Sequence, residues 1–342
     1  MPDPQGATMN PTRRACLRAS AALAAASSIP WLGGCADLGP GDLPGSIAYR
    51  PKGVRGAALR DGVARTEIGS TVVTSVRDGF ATMPLDENFV PGVPLAQVRQ
   101  ALDDAGLGSA SVTIPFTAFV VERRKRRMLL DAGNGSFGAP GSGRLLANLR
   151  EVGIEPASIQ DVLITHFHGD HINGLRGADG KLAFPNATIH VPAPEWDWWM
   201  DDARMRAAPA AMRGAFEATR RVFAPIAADV KRFAPGAEAL PGIATIPAFG
   251  HTPGHTGFGF EDGGHRFAYL GDLTNVTALF LRHPDWAVRF DMDPETARRS
   301  RRRLLDEAVA GNWVVAGFHW PGSAMGRVAR IGDGYEFAPL VS

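Results

Sequence analysis

Three histidines and an aspartate fall within six residues in His166-Phe167-His168-Gly169-Asp170-His171. Imidazole nitrogens and carboxylate oxygens are the donors that zinc and similar borderline ions take. The stretch holds three of the chain's nine histidines, too dense for an ordinary polar loop. It follows the apolar run Val162-Leu163-Ile164, which reads as a buried strand, and Gly169 marks a turn. A strand end that delivers four such groups into one loop is half of a metal site. Three more candidate stretches lie downstream: Gly250-His251-Thr252-Pro253-Gly254-His255, then Gly271-Asp272, then His319. Each stands where a predicted strand gives way to a loop, after Ala248, Leu270 and Ala316. Ligands at the same end of several strands can converge on one point. No serine or cysteine stands in a nucleophile-elbow motif, and metal chemistry needs none.

The elements that must position these groups follow from periodicity. Strands are predicted over 71–76 and 81–84, a helix over 94–107, and a hairpin from 109–121 and 127–130. The basic run Arg123-Arg124-Lys125-Arg126-Arg127 sits at that hairpin's turn, as a solvated tip or as a phosphate or membrane-surface patch. Asp131, at the strand's end beside Gly133 and Gly135, could orient a ligand. A helix over 144–152, a strand over 161–165 and another over 187–191 give an α/β rhythm around the first motif. Residues 193–232 read as helical and open with Trp196, Trp198 and Trp199, which cannot all face one core. Strands return over 243–248, 257–261, 265–270 and 313–316, with a last strand at the C-terminus. The helix predicted over 294–310 carries Arg298, Arg299, Arg301, Arg302 and Arg303, read as a solvated face with an anion site as the alternative.

Composition sets the frame. The chain has 342 residues, 45% of them hydrophobic, enough for one large domain. A formal net charge of +1 gives no basic footprint for nucleic acid. Residues 1–35 read as a targeting segment: Arg13-Arg14 resemble a twin-arginine export signal, an apolar run follows over 19–32, and Leu32-Gly33-Gly34-Cys35 resembles a lipoprotein cleavage box. An ordinary cleaved signal is the alternative. The expected location is the periplasmic side, lipid-anchored through Cys35, with 36–65 as a flexible tether and 66–342 as the folded domain that carries the histidine motifs. Cys16 would leave with the signal, so no disulfide is expected.

Together these residues resemble the metallo-β-lactamase superfamily of hydrolases, from about Thr71 onward. The resemblance implies a four-layer αβ/βα sandwich: two mixed β-sheets face to face, flanked by helices, with a dinuclear site at one edge. Carried over by position, His166, His168 and His255 would bind one ion, Asp170, His171 and His319 the other, and Asp272 would bridge them. Asp131 and His251 resemble positions that orient ligands. The cofactors implied are two divalent ions, zinc first, with manganese, iron and cobalt also suited. Two such ions roughly 3.5–4 Å apart can hold a hydroxide that attacks a carbonyl or phosphoryl centre.

Asp272 argues against the true β-lactamases of the superfamily, which lack the bridging aspartate, and His168 argues against its redox branch. The resemblance within the hydrolases is to the exported methyl parathion hydrolase and lactonase-like group. It rests on Phe137-Gly138, on Arg144-Leu145-Leu146-Ala147-Asn148-Leu149, on Leu182-Ala183-Phe184-Pro185-Asn186-Ala187 and on the His251–Thr256 loop. Phe137 and Trp199 resemble aromatic pocket residues there, suited to uncharged esters, lactones or phosphotriesters. The segments after His319 and Asp272 depart from that group's pattern. A β-lactamase-like amide hydrolase and a non-catalytic metal-binding lipoprotein are the rival readings. The expected partner is a small uncharged ester, not nucleic acid; a homodimer is left open.

Overall fold

The computed structural model describes residues 54–60 and 62–340; the expected signal, Cys35 and residues 36–53 lie outside them. The first sheet has eight strands in chain order: β1 (Val54–Arg60), β2 (Val63–Ile68), β3 (Thr71–Pro84), β4 (Ser111–Arg123), β5 (Arg126–Leu130), β6 (Asp161–Leu163), β7 (Thr188–Pro192) and β8 (Lys231–Phe233). Neighbours are antiparallel from β1 to β5 and parallel from β5 to β8. The second sheet has seven: β9 (Glu238–Leu240), β10 (Ile243–Pro247), β11 (Thr256–Asp262), β12 (His265–Tyr269), β13 (Val314–Ala316), β14 (Met325–Ile331) and β15 (Gly334–Pro339), with only β12 and β13 parallel. Helices flank both: α1 (Leu95–Asp104), α2 (Leu145–Glu151), α3 (Gly169–Ile172), α4 (Ala193–Trp199), α5 (Asp202–Ala207), α6 (Ala210–Phe223), α7 (Thr277–Phe280) and α8 (Pro294–Ala310). This is the αβ/βα sandwich that the resemblance implied.

The sheets face each other through apolar side chains that the strand period of two sends inward. Phe119 of β4 lies 5.0 Å, ring to ring, from Tyr269 of β12, and Phe233 of β8 lies 5.7 Å from Phe258 of β11. At one edge Arg123 pairs with Asp262 at 3.2 Å, and the backbone N–H of Thr117 donates to the Phe318 carbonyl at 2.9 Å near the other.

Three expectations change. The tether predicted to reach residue 65 gives way by Val54, because β1 and β2 extend the first sheet. In β2, Val63, Ala64, Thr66 and Ile68 are buried between exposed Arg65 and Glu67, an alternation masked by the Gly- and Arg-rich context. The two short strands at 71–84 are one strand with a bulge at Asp78, where the register shifts between Arg77 and Gly79. The stretch 193–232 is three helices and a strand. Asp201 caps α5 by accepting from Ala203 N and Arg204 N, and Pro209 starts α6.

Candidate metal centre

Four loops meet at one edge of the sandwich. The first leaves β6 and turns into α3; the others follow β10, β12 and β13. The donor atoms of His166, His168, His251 and Asp272 lie within 4.8 Å of one another, and so do those of Asp170, His171, Asp272 and His319. Asp272 belongs to both groups. Its Oδ2 is 2.8 Å from His319 Nε2 and 3.3 Å from His251 Nε2, and its Oδ1 is 3.2 Å from His171 Nε2. Asp170 Oδ2 lies 3.5 Å from both His171 Nε2 and His319 Nε2.

The expected roles of His251 and His255 are exchanged. His251 Nε2 faces the cluster, 3.0 Å from His168 Nδ1. His255 has both ring nitrogens engaged elsewhere: Nδ1 donates to the Ala248 carbonyl at 2.9 Å, and Nε2 accepts the Asp272 backbone N–H at 3.1 Å. It therefore supports Asp272 rather than joining the donors. Gly271 permits this contact. It has φ +53°, and a Cβ there would stand 2.7 Å from His255 Nε2.

Three buried carboxylates hold the donors. Asp131 accepts from His171 Nδ1 at 2.8 Å, from the Tyr269 hydroxyl at 2.6 Å, and from Thr165 through its N–H and its hydroxyl, each at 2.8 Å. This leaves His171 Nε2 aimed at the cluster. Asp291 does the same for His251, Oδ1 meeting Nδ1 at 2.9 Å. Glu195 ties two donor loops together: it accepts from Phe167 N at 3.1 Å, between His166 and His168, and from Gly254 N at 2.7 Å, just past His251. It also takes the Trp199 indole N–H at 2.8 Å.

Arg301 corrects the reading of its helix as a solvated face. Its guanidinium is buried in α8, donates to the carbonyls of Leu273, Pro284 and Trp286, and lies 3.4 Å from Asp291. Arg298, Arg299, Arg302 and Arg303 do leave the core, Arg302 with Asp285 and Arg303 with Glu307. Sequence reasoning missed Glu195, Asp291 and the part Arg301 plays. Their partners are distant in sequence, so no spacing signals them.

The aromatic pair divides. Trp199 is only 1% exposed and packs behind His168, ring centroids 6.4 Å apart, so it backs a donor instead of overhanging a pocket. Phe137 is 44% exposed, with the Arg221 guanidinium 3.5 Å from its ring centroid. Arg221 also donates to Asn173, directly after α3, so Phe137 stands exposed beside the segment that follows the first donor loop.

The donor set fits divalent cations. His166 Nε2, His171 Nε2 and Asp272 Oδ1 are buried without a hydrogen bond, a state that costs about 1–3 kcal/mol per group unless something pairs with it. The charges agree. Burial would lower the pKa of His171, but Asp272, Asp170 and Asp131 raise it well above the usual imidazole range. His251 is carried against burial up to about 9 by its hydrogen bonds to Asp272 and Asp291. Burial and charged histidine neighbours push His168 down to about 3. Burial would raise Asp272, but His319 and His171 hold it well below the usual carboxylate range. A cluster that draws protons onto two histidines is a cluster that wants positive charge.

The sequence profile of the metallo-beta-lactamase superfamily matches residues 116–316, more than half of the chain. The chain belongs to that superfamily, and structurally it falls among metal-dependent hydrolases. It superposes on AidC, a dizinc quorum-quenching lactonase, with a TM-score of 0.77 at 25% identity, covering 82% of this chain and 97% of that one. It superposes equally, 0.77 at 26% identity, on the hydrolase AbOPH of the beta lactamase superfamily, covering 83% and 99%. Shorter sequence matches reach two ribonuclease Z proteins. That of Aeropyrum pernix is 48% identical over 50 residues and that of Salinibacter ruber 36% over 81. They span 13% and 22% of those proteins and 15% and 22% of this chain.

Proposed function

We propose that this protein is a dinuclear metal hydrolase of uncharged esters, lactones first and phosphotriesters second, with zinc as the leading candidate for both ions. The observation that carries the reading is Asp272, whose Oδ2 stands between His251 of one donor group and His319 of the other. The likeness to AidC, described as a dizinc quorum-quenching lactonase, supports the lactone class. Two ions held there would lower the pKa of a bound water toward about 7 and polarise the substrate oxygen.

The chain's own residues do the rest. Asp131 and Asp291 hold His171 and His251 in the tautomer that presents Nε2. His319 is fixed by donating Nδ1–H to the Pro115 carbonyl at 2.9 Å. Asp272 is held ionised by His319 and His171, so it would offer both oxygens as anionic ligands to the two ions. Water adds to the acyl carbon and its proton ends on the leaving oxygen as the acyl–oxygen bond breaks, so an ester and water become an acid and an alcohol. Phe137 offers an exposed apolar face for an uncharged substrate.

The same reading places the enzyme outside the cytoplasm, carried by the Arg13-Arg14 signal and anchored by a lipid on Cys35. Mass spectrometry of the mature N-terminus from the membrane fraction checks that part. Activity is tested by proton release from a lactone, an aryl phosphotriester and a β-lactam with zinc-loaded protein. Turnover of the lactone or the phosphotriester is expected. Turnover of the β-lactam alone would overturn the ester assignment and the use of Asp272 to exclude that branch.

A further inference from the structure

The ladder of the first sheet places two features at one end. Val54 pairs with Ile68, Ile68 with Thr71, and Val72 with Glu122, and the next pair of the hairpin is Arg123 with Arg126. The point where the chain enters the domain thus shares an end of the sheet with the basic turn. The donor loops sit at the other end, because β5 and β6 run from the turn toward Asp131 and His166. Five residues of β5 at about 3.3 Å each put roughly 17 Å between the turn and Asp131.

The turn itself carries Arg123, Arg124, Lys125, Arg126 and Arg127. Arg123 pairs with Asp262, Arg126 with Asp161, and Arg127 with Glu122. Arg124 and Lys125 form the tip, at φ +49° and +66°; both are exposed and have no ion pair among the described residues. These residues line a concavity of about 410 Å³ with Ser70, Val72, Ser158 and Gln160. The hollow is open to solvent; Glu122 also lines it, and with Arg123, Arg126 and Arg127 already paired, Arg124 and Lys125 are the cations it offers to phosphate.

We propose that this basic turn docks on an anionic phospholipid surface and so holds the metal centre facing away from the membrane. The proposal extends the export reading, in which residues 36–53 connect a lipid on Cys35 to Val54 at the same end of the sheet. A lipid on Cys35 would tether the domain at one point without fixing how it faces, and a basic patch beside that point adds attraction to anionic headgroups. Each exposed cation near an anionic surface is worth roughly a five-fold change in partitioning.

The test is vesicle co-sedimentation of the full chain carrying Cys35→Ser, against the same chain with Arg124→Ala and Lys125→Ala. Both proteins keep the apolar run over 19–32, so its contribution cancels in the comparison. On vesicles of phosphatidylcholine with phosphatidylglycerol at low salt, the double variant should bind roughly twenty- to thirty-fold more weakly. On pure phosphatidylcholine the two should be equal, and salt should erase the difference. Esterase activity should be unchanged, since neither residue is near the donors. Equal binding on the anionic vesicles would overturn the proposal. So would loss of vesicle binding in millimolar inorganic phosphate at matched ionic strength, which would make the hollow a site for free phosphate. The assay needs neither export nor lipidation, so its failure would leave the export reading standing.

Discussion

His251 and His255 lie in one short loop, yet their replacement should damage different things. His255→Ala removes the acceptor of the Asp272 N–H and the donor to the Ala248 carbonyl. Two buried backbone groups are then unsatisfied, at about 1–3 kcal/mol each. The total, about 2–6 kcal/mol, is a large share of the 5–15 kcal/mol typical of a folded domain. At roughly 2–4 °C per kcal/mol the metal-free midpoint should fall by several degrees or more. The donors all remain, so two ions should still bind, weakened about 10–100-fold because Asp272 is less well fixed. His251→Ala leaves those backbone groups paired. It removes one donor from the group of His166, His168 and Asp272 and spares the group of Asp170, His171 and His319. One ion should be lost and the other retained. Cobalt titration of chelator-treated protein, followed by visible absorption and by metal analysis after desalting, counts the ions. Thermal melting of the metal-free variants measures the other effect. Two tight ions in His251→Ala, or a single ion with an unchanged metal-free midpoint in His255→Ala, would refute the assignment.

Asp272→Ala should abolish turnover while leaving the circular dichroism spectrum intact, because the backbone N–H that meets His255 is kept; surviving turnover would show that the bridging role is wrong. Arg301→Met should act through Asp291 and His251, weakening the first ion about 10–100-fold while the second keeps its affinity; cobalt titration that shows both sites or neither affected would refute the relay. The metal-free protein should also show a stability maximum in pH. His168 and His255 are held neutral by burial, down to about 3 and about 4. Below the unfolded value of about 6.5 the unfolded chain binds more protons, so stability is fully present above about pH 6.5 and falls toward pH 4, by up to about 1.4 kcal/mol per pH unit for each group. His251, raised to about 9, works the other way: its contribution is present below about pH 6.5 and is lost as the pH rises to 9. Urea unfolding of chelator-treated protein at pH 4.5, 6.5 and 8.5 checks this, and greater stability at pH 4.5 than at 6.5 would refute it.

The donor residues were legible because each stands where an apolar run stops, and sequence shows both the run and the stop. The helix over 294–310 was legible to the residue, since Asp293 caps it and Pro294 opens it. What spacing cannot show is which of two histidines four residues apart turns inward. That choice depends on Asp291, 40 residues beyond His251, and on the Ala248 carbonyl, which claims His255. Arg301 was misread for the same reason. Its neighbours in sequence are solvated arginines, and only the chain crossing at Leu273, Pro284 and Trp286 encloses it.

Buried carboxylates explain why the site and the fold are hard to separate. Asp78 sits in the β3 bulge and accepts from Asn134, Gly143 and Leu145, fixing the segment that follows Asp131. Asp131 fixes His171, Asp291 fixes His251, and Glu195 binds the backbone of both donor loops. Burying a carboxylate is costly unless N–H groups or cations surround it. Glu195 is enclosed with no ion pair among the described residues, and burial raises its pKa against the hydrogen bonds from Gly254, Phe167 and Trp199. Such a group persists only if those N–H donors are held in place, and in being held they place His166, His168 and His251. The desolvation cost of enclosing the carboxylates is thus met only by fixed N–H donors, and that fixing gives the metal-binding side chains the rigidity a metal site needs from its protein.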